Sequence, residues 1–490
     1  MQIFNDMGVH GPTPNFLFGN LLSLRNMGFH KIYQVWNKMY GKTFGYFEGP
    51  SPVLVTSDEK ILHQVFVKQF SKFHARKVFP VQVDPDYDEN VHMFFARGDR
   101  WKRLRSIANP AFSSAKLRKM VPILNDCFTT LVATVKSTSD AVADVDIRDL
   151  FQRLTLDTIS RCGFGLDSRS IENLDDSFFK HCKGVIADTT KRPWLFLFGF
   201  IFPALHALWI AIYKLLGYLQ YNPVFWLEKQ LGDVIQDRKN ENYRRDDLLQ
   251  LMIDAKFVDE NCNVIPKEQV TKEMIMKKLT NDEIIAQSFL FMLAGFETTS
   301  TTLSYVFYEL ATNPDVQKKL RDEVDQHFPT KDDKPCYDSV SKLQYLDMVI
   351  CETLRKYPLA SGVIARKCME TCEVEGLIIP KDTIVQADVW SLHRRRDLWG
   401  DDVESFNPER FTPEKKLERH PMAWMAFGGG PRSCAGLRFA LLQMKMVTVE
   451  LVKNFILLPA KNLEKPLTLT EGATVIPKFG INLNVISRGK

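Results

Sequence analysis

The chain has 490 residues, of which 45% are hydrophobic and 25% charged, and its formal net charge is +5. That balance excludes a disordered, collagen-like or multi-pass membrane protein, and so small a positive excess gives no argument for a nucleic-acid partner. The 35 phenylalanines predict large apolar volumes to fill or line.

A prior of about 150 residues per domain suggests three domains. No repeat, low-complexity tract or Ser/Gly linker divides the sequence, however, so one large domain over residues 1–490 is expected. The first ten residues are too short and mixed for a signal peptide. Gly11-Pro12-Thr13-Pro14 is a rigid start, and Phe44 to Val55 has β-like stretches broken by Gly49-Pro50. From about Arg97 the pattern is helical, with apolar residues spaced by three and four through Trp101–Ile107, Leu117–Val135 and Leu150–Ile159.

Residues 193–213 form the longest uncharged run, long enough to span a bilayer. Pro203 and His206 interrupt it, and Lys191, Arg192 and Lys214 flank both ends, so no charge asymmetry orients a span. An apolar surface element dipping into the headgroup layer is expected instead. Asn281-Asp282 is the predicted N-cap of a helix running to Thr312, where Asn313-Pro314 stops it. At about 1.5 Å per residue it crosses the whole domain, and its apolar middle, Phe289 to Phe296, is expected to be buried. A second helix is predicted over about 341–357, carrying Glu352 and Arg355, and a third over 437–454. Strand-like alternation returns over 372–389 and 473–485. The expected fold is mainly α with a minor β part. The nine cysteines form no Cys-x-x-Cys pair or framework, and no Asn-x-Ser/Thr acceptor occurs, which favours the reducing, cytosolic side of a membrane or the cytosol.

Three segments carry chemistry. Phe427-Gly-Gly-Gly-Pro-Arg-Ser-Cys-Ala-Gly436 opens the third helix. It lacks the Gly-Lys-Ser/Thr ending of a phosphate loop, and Pro431 removes an amide such a loop would use. It does set Cys434 beside a helix N-terminus, where dipole and free amides favour a thiolate. A thiolate so held is a natural axial ligand for a haem iron that must cleave O–O. In Ala294-Gly-Phe-Glu-Thr-Thr299 the Thr298 hydroxyl can bond back to the Ala294 carbonyl and bend the helix, with Gly295 leaving room for a small ligand. Glu297 beside Thr298 is the carboxylate–hydroxyl pairing that proton delivery to dioxygen needs. Glu352 and Arg355, at i and i+3, share one helical face.

These residues resemble the cytochrome P-450 family, the haem–thiolate monooxygenases, in four motifs that follow the family order. Phe427-x-x-Gly430-x-Arg432-x-Cys434-x-Gly436 matches its haem-binding signature. By that resemblance Cys434 ligates iron, Arg432 pairs with a haem propionate, Phe427 shields the sulfur and Gly436 lets the backbone pass the porphyrin. Glu297–Thr298 resembles the family's acid–alcohol pair. Glu352, Arg355 and Arg410 resemble its buried structural network. Trp101, Arg105, Arg366 and, more weakly, Arg76 match further propionate positions.

Details such as Trp101-Lys-Arg-Leu-Arg105 are similar to the animal microsomal branch with xenobiotic and steroid substrates. The resemblance implies haem (iron protoporphyrin IX), a lipophilic substrate, electrons from NADPH through a cytochrome reductase with a cytochrome b-type donor as a further partner, and the cytosolic face of the endoplasmic reticulum membrane. Enzymes of that branch carry an apolar anchor of about twenty residues ahead of the Gly-Pro start. Only ten residues precede it here, so membrane contact is expected to rest on residues 193–213. Phe291, Leu293, Val363, Ile364 and Val475 are the expected apolar lining, and Lys102, Arg103, Arg438 and Lys445 the expected basic face for a reductase. The alternatives are a reductase-independent isomerase or dehydratase, which has no need of Glu297–Thr298, and a haem-binding protein without turnover.

Overall fold

The alternating residues 43–56 fold as a hairpin, β1 (Thr43–Glu48) and β2 (Ser51–Thr56), turned at Gly49 with φ +58°. Gly49 meets the helical segment around Phe200 so closely that a Cβ there would lie 2.4 Å from the Phe200 carbonyl oxygen. The structure is a computed structural model and describes residues 2–79, 84–141, 144–191, 193–219, 222–240, 244–255 and 279–489. Two later strands, β3 (Ala365–Lys367) and β4 (Ile384–Ala387), complete a four-stranded sheet in the order β1-β2-β4-β3. Only the β2–β4 pairing is parallel. Near the C-terminus β5 (Leu469–Glu471) and β6 (Val475–Pro477) pair as a small hairpin.

The helices that matter for the site and its surroundings are α1 (Gly98–Ala108), α2 (Ser114–Ala141), α3 (Ile147–Phe164), α4 (Pro193–Ile201), α5 (His206–Leu219), α6 (Asn281–Thr312), α7 (Gln344–Lys356) and α8 (Leu437–Asn454). One large apolar cluster joins α2, α3, α6, α7 and α8. A mainly α fold with a minor β part is what the periodicity predicted.

Two helix starts differ from expectation. α6 is capped by Thr280, one residue before Asn281: the Thr280 hydroxyl accepts the Glu283 N–H and the Glu283 carboxylate reaches back to the Thr280 N–H. α7 begins at Gln344 because the Glu323 carboxylate accepts the N–H groups of Tyr345 and Leu346, at 2.7 and 3.0 Å. Residues 193–213 form α4, a turn at Pro203–Leu205 and the first part of α5, with a 112° bend between the helices. Among the described residues no single helix is long and apolar enough to cross a membrane. Trp194, Phe198, Phe202, Leu205, Leu208 and Leu215 of this bent pair are exposed.

Candidate active site

The Gly-rich loop is shaped by close backbone approach. The Cys434 N–H donates to the Phe427 carbonyl at 2.9 Å and the Ser433 N–H to the Gly430 carbonyl at 3.0 Å, closing two turns around the sulfur. Gly430 has φ +68°, and a Cβ there would lie 1.8 Å from the Phe66 carbonyl oxygen. Gly436, the N-cap of α8, is far less crowded: its Cβ would meet only a Phe112 ring carbon at 4.0 Å. The polypeptide itself leaves room at Gly436.

The thiol of Cys434 is solvent-accessible although protein surrounds it, as a group on the wall of an internal space must be. Burial pushes its pKa up, while the amides of Gly436 and Leu437 and the charges of Arg105 and Arg76 pull it down. The net shift is upward. The helix N-terminus therefore acts in the expected direction, against the larger effect of desolvation.

Four arginines converge near this sulfur. Arg432, 3% exposed, donates to the carbonyls of Phe94 and Ala96, and its guanidinium lies 4.7 Å from the Trp101 ring centroid. Arg366, 1% exposed, reaches the carbonyls of Ala365 and Gly429. Arg76 bonds the carbonyls of Val363 and Arg432, at 2.7 and 3.1 Å, and Arg105 that of Ser433 at 3.0 Å. Among the described residues none of the four meets a carboxylate. The Nε atoms of Arg366 and Arg432 are buried without an acceptor. Burial, with the charges of Arg76, Arg105 and Arg97 added, pulls Arg432 down to about 8, and burial with Arg76 and Arg432 pulls Arg366 well below its usual value. Clustered cations with spare donors fit a group that brings two carboxylates of its own, as the propionates of haem do.

On α6 the Thr298 hydroxyl donates to the Ala294 carbonyl at 2.7 Å, as expected. The apolar middle of α6 is not buried all round: Phe291, Met292 and Phe296 are, Leu293 is half-buried, and Ala294 is exposed, so this face borders open space. Glu297 and Thr298 are not brought together. Glu297 turns to α3, where Arg148 and Gln152 donate to its carboxylate at 3.1 and 2.9 Å.

Behind the loop, Arg355 and Glu352 are both wholly buried and joined at 2.6 Å, with Arg410 Nε 3.4 Å from Glu352. Arg355 also donates to the His393 carbonyl, and the His393 Nε2 accepts the Met425 N–H at 2.9 Å. His393, which the sequence did not flag, thus ties α7 to the strand of chain leading into the Cys434 loop.

The expected basic face is largely neutralised. Arg103 is bidentate to Glu283, Lys445 sits 3.0 Å from Asp347, and Lys102 reaches Asp99 at 3.0 Å; Arg438 is exposed. Phe427 packs edge-on against Trp424, with ring centroids 5.9 Å apart. Of the expected lining, Phe291 packs on Phe112, Ile364 is buried, and Val475 is held by the Leu359 carbonyl and the Tyr305 hydroxyl. Among the described residues no cluster of three metal-binding side chains exists.

A model of the family described as Cytochrome P450 matches residues 9–485. The putative cytochrome P450 CYP13A4 of Caenorhabditis elegans is 36% identical over 491 residues, covering 96% of this chain and 92% of that protein. Cytochrome P450 3A29 of Sus scrofa is 35% identical over 492 residues, covering 99% and 92%. Cytochrome P450 3A12 of Canis lupus familiaris is 34% identical over 493 residues, with the same coverage of 99% and 92%. A family match over residues 9–485 and relatives 34–36% identical over nearly the whole chain settle the kinship: the chain belongs to the cytochrome P450 family, the haem–thiolate monooxygenases.

Proposed function

We propose that Cys434 is the axial ligand of the haem and that Arg76, Arg105, Arg366 and Arg432, with Trp101 beside them, hold its propionates. The observation that carries this reading is the cluster of cations with unused donors and no carboxylate among the described residues. When bound, haem supplies the iron at which dioxygen is activated. The chain's own residues then have separate tasks. The Cys434 loop presents the sulfur from a backbone whose N–H is fixed by the Phe427 carbonyl. The Thr298 hydroxyl, bonded back to the Ala294 carbonyl of α6, positions protons. The buried network of Glu352, Arg355 and Arg410 keeps the loop rigid.

The overall reaction places one oxygen atom from dioxygen into a lipophilic substrate. The apolar side chains of Phe291, Leu293, Val363, Ile364 and Val475 support that substrate class. Electrons come from NADPH through a cytochrome reductase, with a cytochrome b-type protein as a second donor. Of the basic face, Arg438 and Lys102, the latter paired only with the exposed Asp99, are the residues to test for docking, since Arg103 and Lys445 are held by Glu283 and Asp347. The exposed apolar residues of α4 and α5 support attachment to the cytosolic face of the endoplasmic reticulum membrane.

The test is the reduced protein under carbon monoxide. A far-red Soret band is expected, together with reductase-dependent NADPH consumption and oxygenated product. Cys434→Ala is expected to lose both the band and the haem. A band retained in that variant overturns the ligand assignment, and turnover without NADPH points to the isomerase or dehydratase alternative.

A further inference from the structure

Cys368 and Cys372 lie on either side of a bend at Met369-Glu370, between β3 and a further small hairpin in which Cys372–Val374 pairs with Leu377–Ile379. Glu375 and Gly376 turn that hairpin with φ +49° and +80°, the pair of left-handed residues that a tight two-residue turn requires. Its register sets Cys372 opposite Ile379. The Cys368 thiol has the Glu370 carbonyl at 3.0 Å and the Ile379 carbonyl at 3.6 Å as acceptors. The bend thus folds the Cys368 sulfur back onto the hairpin, within hydrogen-bond reach of the Cys372 sulfur. Both cysteines are free thiols in one apolar cluster with Phe66, Met422 and Met425. Cys368 is 0% exposed and Cys372 6%, so a small reagent from solvent meets Cys372 first. Burial, and then the charge of a thiolate at Cys372, push Cys368 up to about 12, which makes Cys368 the thiol that keeps its proton.

We propose that Cys368 and Cys372 are a modification site for hydrogen peroxide, a dithiol that closes to a disulfide and in doing so loosens the hold on haem. The Cys372 thiolate attacks one peroxide oxygen and the O–O bond breaks. Cys372 becomes a sulfenic acid, and the departing hydroxide takes the proton that Cys372 gave up and leaves as water. The Cys368 sulfur then attacks the Cys372 sulfur, the S–O bond breaks, and the hydroxyl leaves with the Cys368 proton as a second water. Two thiols are oxidised by two electrons together, and one peroxide is reduced to two waters. A small thiol such as glutathione reverses the change by exchange. The effect on haem follows from the chain on either side. The Lys367 N–H donates to the Ala75 carbonyl at 2.9 Å and the Met369 N–H to the Lys72 carbonyl at 2.8 Å. A bend redrawn by a disulfide, with no S–H left for the Glu370 carbonyl, therefore moves β3, which carries Arg366, and the segment that leads into Arg76. This effect rests on the reading of Arg76 and Arg366 as holders of the propionates; the disulfide itself does not. Peroxide released by unproductive turnover would then reach a sensor on the chain that made it.

The sequence makes the covalent test direct, because trypsin releases Cys368–Lys381 as one peptide holding both cysteines and no other. The wild-type holoprotein is treated with dilute hydrogen peroxide, quenched with catalase, denatured, labelled with N-ethylmaleimide and digested. The expected peptide is lighter by two hydrogen atoms and unlabelled, and it takes two labels once dithiothreitol has been added first. Two labels without dithiothreitol, or a bond from either cysteine to a different one, overturns the proposal, and no variant has to fold for that result. Haem transfer to apomyoglobin is the second readout. It should run several-fold faster after peroxide, return with dithiothreitol, and show no thiol-reversible part in Cys372→Ala, whose methyl suits the apolar cluster. A disulfide formed with no change in transfer overturns the link to haem. Arg366→Met separates the two readings. Transfer at the wild-type rate in untreated Arg366→Met overturns the role given to Arg366, whereas faster transfer there beside an unaltered rate in the oxidised wild type overturns the dithiol switch alone.

Discussion

Two glycines of the ten-residue motif Phe427–Gly436 make opposite demands. At Gly430 the backbone is left-handed and the Phe66 carbonyl fills the place of a Cβ, so Gly430→Ala meets both strain and a clash. The conformational part alone costs about 1–3 kcal/mol, and the expected outcome is a lower thermal midpoint and loss of the far-red band. Gly436→Ala meets nothing of the polypeptide closer than 4.0 Å. Its apoprotein should keep a thermal midpoint close to wild type while haem retention falls, because the requirement for glycine there comes from the cofactor. Equal damage to both apoproteins would contradict this.

Thr298→Ala belongs to the same scale. Its methyl fits the helix, so haem and substrate binding should persist, but the hydroxyl that bonds Ala294 is gone. General acid–base positioning is worth roughly 10²- to 10⁴-fold, and water taking the place of the hydroxyl replaces part of it. Measuring NADPH, product and peroxide together should show NADPH still consumed, less product and more peroxide. The bond from Thr298 to Ala294 was legible in the sequence because it spans one helical turn. The partners of Glu297 were not. Arg148 and Gln152 are 149 and 145 residues away in sequence, and nothing local says which face of α6 will meet α3.

Between elements, the link from α7 to the Cys434 loop runs through a neutral histidine. His393 Nδ1 faces the Arg355 carbonyl at 3.2 Å and Nε2 accepts the Met425 N–H. Burial and then the Arg355 charge push its pKa down to about 3. The unfolded chain takes up this proton near about pH 6.5, whereas the folded one resists it until about pH 3. Stability from this group is therefore complete above about pH 6.5 and falls with acid through that window, by about 1.4 kcal/mol per pH unit. Denaturant midpoints measured across the window should slope accordingly, and less steeply in His393→Gln. A slope identical in both proteins would remove His393 from the account. The end of α6 and the bounds of α8 were readable from Pro314, the Gly-rich loop and apolar spacing. The start of α7 was not, because the carboxylate that caps it comes from Glu323 in another helix. The engagement of Arg103 and Lys445 was hidden for a similar reason: Glu283 and Asp347, which pair with them, lie far away in sequence.

For the whole molecule, α4 and α5 place Trp194, Phe198, Phe202 and Leu208 outward on a bent pair of helices. Replacing Phe198, Phe202 and Leu208 together with Ser should weaken co-sedimentation with phospholipid vesicles while leaving the far-red band intact. Vesicle binding equal to wild type would assign membrane contact elsewhere. The uncharged run and its Pro203 break were visible in the sequence. That Gly49 of the β1–β2 turn braces the far end of α4 was not, since it depends on a hairpin some 150 residues earlier.

The arginine cluster reaches beyond catalysis. Four like charges gathered without a counter-ion repel one another, and the polypeptide alone has nothing to answer them with among its described residues. A ligand that binds only the native state stabilises it in proportion to the logarithm of its concentration over its dissociation constant. On the proposed assignment, the propionates of haem answer that repulsion once the cofactor is bound. In a cell short of haem, this protein should be lost to proteolysis before it is ever missed as an enzyme.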